Sequence, residues 1–108
     1  MEKFSLPSVS RQHLALARES SAGRSTDTVV GGSRRRLRQS LMTLVAGCRL
    51  PEHDFPGEAT IQVLSGSIQL ETGEETEQAT SGDLLVIPPE RHSLVALEDA
   101  AVLLTVVK

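Results

Sequence analysis

The chain has 108 residues, of which 39% are hydrophobic and 23% charged, and its formal net charge is −3. That length supports one core rather than two, and the hydrophobic content excludes global disorder. Trp, Tyr and Asn are absent and the only aromatics are Phe4 and Phe55, which argues against nucleic-acid recognition by base stacking and leaves few anchors for a tight protein–protein hot spot.

In chain order, residues 8–20 predict a short amphipathic helix, with Val9, His13, Leu14 and Ala17 recurring at spacings of three and four, and with Ser8 or Ser10 as its cap. From about Thr26 the pattern changes to strands. Thr28-Val29-Val30 stops at Gly31-Gly32. The run from Leu37 to Ala46 is apolar on both faces, with Leu37, Leu41 and Val45 on one and Met42, Leu44 and Ala46 on the other, as expected of a strand covered on both sides. Residues 47–57, with Gly47, Pro51, Pro56 and Gly57, are expected to be loop. Residues 59–64 alternate with Ala59, Ile61 and Val63 on one side. Strands are also expected at 67–71, at the acidic and exposed stretch 74–80, at the buried apolar run Leu84-Leu85-Val86-Ile87, at 92–97, and as a second buried run at 101–107. About eight short strands without intervening helices indicate an all-β sandwich, jelly roll or small barrel. The division expected is an N-terminal helical arm over 1–25 and a β-barrel domain over 26–108.

Charge is unevenly placed. Residues 1–50 hold nine basic and three acidic residues, and residues 51–108 hold two basic and eleven acidic. Arg34-Arg35-Arg36 and Arg38 mark the basic peak. In an acidic protein this run is expected to be a solvated loop or strand edge rather than a nucleic-acid patch, and a contact between the two oppositely charged halves is the better use of the asymmetry. Cys48 is the single cysteine, so no internal disulfide forms, which suits a reducing cytoplasm. No stretch has the length of a signal peptide or a membrane span, and the expected location is cytoplasmic.

Two spacings carry a family resemblance. The first runs Gly47, five residues, His53, Asp54, Phe55, three residues, Ala59, six residues, Gly66. The second begins at Gly82-Asp83 and runs through Pro88-Pro89-Glu90-Arg91 to His92. Together with the strand order over residues 40–107, they resemble the cupins, of the RmlC-like jelly-roll kind. The resemblance implies a double-stranded β-helix or jelly-roll barrel, here with a short N-terminal helix. It also implies a metal site of three histidines and one glutamate, of which only His53 and His92 stand in matching positions. Phe55 occupies the second histidine slot and Ala59 the glutamate slot. Glu58 is one residue out of register, which in a strand turns it to the opposite face unless a bulge intervenes.

The candidate ligand-binding residues are therefore His53, Phe55, Ala59, Ile61 and His92. His53 and His92 are the candidate metal ligands, for a divalent transition metal such as Fe, Mn, Zn or Ni. No catalytic residue is assigned. Ala59 and Ala96, in place of bulkier groups, are expected to enlarge an apolar pocket. Cys48 is expected to be a small packed residue rather than a nucleophile served by His53. Arg49 and Arg91 are expected to pair with nearby acids or to meet an anionic ligand. His13 is expected at the surface or an interface. The function expected is binding of a small organic ligand in the barrel, without nucleic acid or membrane, by a homodimer. The alternatives are a metal-dependent cupin enzyme of the dioxygenase or isomerase type, and a non-catalytic structural or regulatory dimer in which residues 8–30 pack on or swap into a partner.

Overall fold

A computed structural model describes residues 1–53 and 57–108, with His53 described by its backbone. It contains one helix, α1 (Leu6–Glu19), and nine strands: β1 (Arg24–Val30), β2 (Leu37–Leu44), β3 (Arg49–His53), β4 (Glu58–Ser65), β5 (Ser67–Glu71), β6 (Thr76–Thr80), β7 (Leu84–Val86), β8 (His92–Ala96) and β9 (Ala100–Val107). They form a five-stranded sheet of order β1-β2-β9-β4-β7 and a four-stranded sheet of order β3-β8-β5-β6. All pairings are antiparallel, and the sheets close over one core as a jelly roll.

Three expectations change. The helix begins at Leu6, because Ser5 rather than Ser8 or Ser10 takes the cap position and its hydroxyl accepts from the Ser8 N–H. Residues 49–53, expected as loop, form β3, an edge strand beside β8, the position in a sheet where a proline such as Pro51 is tolerated. The pairing with β8 is irregular between Leu50 and His53. The run Leu84–Val86, expected to be buried, is an edge strand with Leu84 59% and Val86 75% exposed.

The core has two layers. Inside the barrel, Leu44, Ala59, Ile61, Val63, Ile68, Leu70, Leu94, Ala96 and Val102 pack together from both sheets. On the outer face of the five-stranded sheet, α1 contacts β1, β2 and β9 and buries Ala17 fully. Leu41, Thr43, Ala101 and Leu103 are buried on that face. This explains why residues 37–46 and 101–107 are apolar on both sides: their strands lie between the helix and the barrel core. His13 ties the helix to β1, with Nδ1 2.7 Å from the Ser25 hydroxyl and Nε2 3.6 Å from the Asp27 carboxylate.

The glycine between β4 and β5 is fixed by geometry. Gly66 has φ 78°, and a Cβ there would collide with the Asp99 carbonyl. Both a left-handed backbone and a close approach exclude other residues. Gly82, the first residue of the second motif, has φ 92°. The oppositely charged halves meet within the chain. Arg18 lies 2.9 Å from Asp99 and Arg49 lies 3.1 Å from Glu71.

Candidate functional site

One end of the barrel collects the ends of the motif strands. Here β3 ends, β4 and β8 begin, and β9 ends against the start of β2. The backbone of His53 pairs directly with that of His92. In β8, His92, Leu94 and Ala96 alternate inward. In β4, Ala59, Ile61 and Val63 do the same from the opposing sheet. The structure thus places Ala59, Ile61 and His92 on the inner wall. Phe55 lies outside the described residues.

His92 is the unusual residue of this wall. It is only 3% exposed. Its Nδ1 lies 2.9 Å from the Glu90 carbonyl oxygen, which can only accept. Nδ1 therefore carries the hydrogen of this bond. Glu90 reaches this role through its backbone, after the Pro88-Pro89 stop, so the orienting group leaves no signature in the side-chain sequence.

Several other candidates are separated from this end. Ala96 lies four residues beyond His92 in β8, about 13 Å along the strand. There its N–H bonds the Cys48 carbonyl, and it packs in the core. It does not widen a pocket beside His92. Cys48 sits at the same far end, packed against the core. The extended β3 separates it from His53, which removes the nucleophile–base arrangement. Arg49 is held by Glu71 and Ser93, and Arg91 lies 3.0 Å from Glu52. The Arg49 hydrogen bond holds the Glu71 carboxyl below its ordinary value of 4.5.

The ligand set for a metal does not assemble among the described residues. Ala59 faces inward at the glutamate slot, and the β4 irregularity falls between Val63 and Ser65 rather than at Glu58. Glu58 therefore stays exposed on the outer face. Among the described residues, no group of three His, Cys, Asp or Glu side chains is placed to hold a metal ion. Such a site needs at least three protein donors.

The cupin-domain profile matches residues 40–108. The chain belongs to the cupin family. It is similar over 99% of its length, at 26% identity and a TM-score of 0.75, to a conserved SPY1581 protein of unknown function from Streptococcus pyogenes, of which 87% is covered. It is also similar, at 28% identity and a TM-score of 0.68, to an RmlC-like cupin protein from Desulfovibrio desulfuricans, with 78% of this chain and 81% of that one covered. A salicylate 1,2-dioxygenase from Pseudaminobacter salicylatoxidans superposes with a TM-score of 0.78 at 18% identity, over 92% of this cupin and 33% of the dioxygenase; that likeness is one of fold. No functionally curated protein matches. Among the described residues, no helix of this cupin is long and apolar enough to cross a membrane.

Proposed function

We propose that this cupin binds a small organic ligand at the end of the barrel marked by His92, without a metal. The observation that carries the reading is the buried His92. A polar ring buried on the inner wall costs stability unless its polar atoms are used, and the hydrogen bond to the Glu90 carbonyl holds this ring in one orientation there. Ala59 and Ile61 supply the apolar wall, as small-molecule sites commonly combine such walls with a few polar groups. His53 and Phe55 complete the proposed set. The single cysteine leaves folding independent of disulfides, which suits a cytoplasmic setting.

The test is a thermal-shift screen of small organic acids, sugars and aromatics. Stabilising ligands are expected, and His92→Ala or His53→Ala is expected to abolish their effect. A broad library that leaves the melting temperature unmoved would sink the reading. Chelator treatment is expected to leave melting unchanged. Recovery of about one equivalent of transition metal after reconstitution would favour the metal-dependent enzyme instead.

A second reading, homodimerisation, draws on the outer face of the five-stranded sheet. Its helix-covered part is taken by contacts within the chain. Beyond the helix, Leu37 pairs with Val107, both about half exposed, and across Glu58, Thr60 and Gln62 of β4 the face carries the exposed Leu84 and Val86 on β7. These exposed apolar side chains are the proposed contact between copies.

A further inference from the structure

The connection between β1 and β2 joins the His92 end of the barrel, and it carries the basic peak of the sequence. Ser33, Arg34, Arg35, Arg36, Arg38 and Lys108 line one open cleft of about 290 Å³. The Lys108 N–H donates to the Arg36 carbonyl at 2.9 Å, holding the two sides of the cleft together. Among the described residues, Arg34, Arg36, Arg38 and Lys108 make no ion pair, and Arg35 reaches Glu2 only at 4.0 Å. A chain of net charge −3 thus gathers five cationic residues around one cleft that, among the described residues, no acidic side chain lines.

Arg38 connects that cleft to the barrel. It pairs with Val106, which pairs on its other side with Ala59. Paired residues share a face, and both Val106 and Ala59 pack in the barrel core. Arg38 therefore rises from the inner wall in the same row as Ala59. Its Nη2 donates to the Gly32 carbonyl at 3.1 Å. Its Nε is buried and, among the described residues, has no hydrogen-bond partner. A guanidinium has donors only, so this side chain keeps a donor for an acceptor oxygen.

We propose that this cleft binds the anionic group of a small organic molecule, a phosphate or a carboxylate, with Arg38 as the principal contact. The proposal rests on the barrel-ligand reading above, since Arg38 links the anionic head to the wall that holds the organic body. The guanidinium fork matches the paired oxygens of both anions. The acidic remainder of the chain disfavours a long polyanion.

The full chain is titrated calorimetrically at low ionic strength with sodium phosphate and, in a second arm, with sodium citrate. Saturable binding of at least one anion is expected. Affinity is expected to fall about tenfold or more in Arg38→Gln and less in Arg38→Lys, which keeps the charge but loses the fork. The melting temperature of Arg38→Lys without ligand serves as the folding control. Saturation by phosphate alone supports a phosphorylated ligand, and saturation by citrate alone supports a carboxylate. Unchanged affinity in Arg38→Gln, or no saturable binding of either anion, overturns the proposal. So does tighter binding of a short single-stranded oligonucleotide, which would assign the cleft to nucleic acid. His92→Ala is expected to leave inorganic anion binding intact. In the unmodified chain, saturable anion binding with no response to any organic ligand counts against the barrel reading alone. The converse result overturns this inference alone.

Discussion

At the residue scale, the clearest electrostatic device is Asp99. It accepts from the Ala46 N–H at 2.8 Å and from Arg18 at 2.9 Å. The amide first, and the guanidinium second, hold its carboxyl below the ordinary value of 3.8. Glu71 is held low in the same way by Arg49. Both folded-state values are depressed, so their stabilisation is present above the ordinary carboxylate range and is lost as pH falls through the folded values. The denaturant midpoint is expected to be flat from neutrality to about pH 5 and to fall below about pH 4. Asp99→Asn is expected to flatten that acid limb and to cost less than about 1 kcal/mol at neutral pH, because the carboxylate is more than a third exposed and screened. An acid limb identical to that of the unmodified chain would show that this pairing is not its source. Of the candidate site residues, His92 and Ala59 were legible from motif spacing. The Glu90 carbonyl that orients His92 was not, because a backbone acceptor has no residue type.

At the element scale, β7 separates what composition says from what position decides. Leu84–Ile87 is as apolar as the central strands, yet Leu84 and Val86 face solvent while Leu85 packs against the core. The reason is order within the sheet. The helix covers β1, β2 and β9, and β7 lies at the opposite edge, beyond β4. Val86→Lys is therefore expected to change monomer stability by no more than about 0.5 kcal/mol. Leu94→Ala, which empties a side chain 1% exposed, is expected to cost about 2–5 kcal/mol. Chemical denaturation of the two variants checks the contrast, and a large loss in Val86→Lys monomers would contradict the edge placement. The missed strand β3 has the same origin. Two prolines and two glycines in residues 47–57 suggested loop, but pairing with β8 supplied hydrogen bonds that local propensity could not foresee.

At the scale of the whole molecule, the same edge bears on assembly. The outer face beyond α1 offers Leu37, Leu84, Val86 and Val107, whereas α1 lies against β1, β2 and β9. Sedimentation is expected to find a dimer, and Leu84→Lys with Val86→Lys is expected to yield a monomer that still melts cooperatively. A dimer that survives both changes would place the contact elsewhere. A dimer that is lost when residues 1–25 are removed but resists the lysines would transfer it to the helical arm.

The sequence by itself determined the all-β class, the glycine turns and the cupin spacing, because turn chemistry and period-two alternation are local properties of the chain. It also determined what the metal motif lacks, since the side chain of Ala59 offers no donor atom in any fold. Tertiary structure alone decided which apolar strands are covered, that Ala96 and Cys48 stand at the far end from His92, and that Arg38 shares a row with Ala59. Each of these depends on strand order and register, which arise from pairings between residues far apart in the chain.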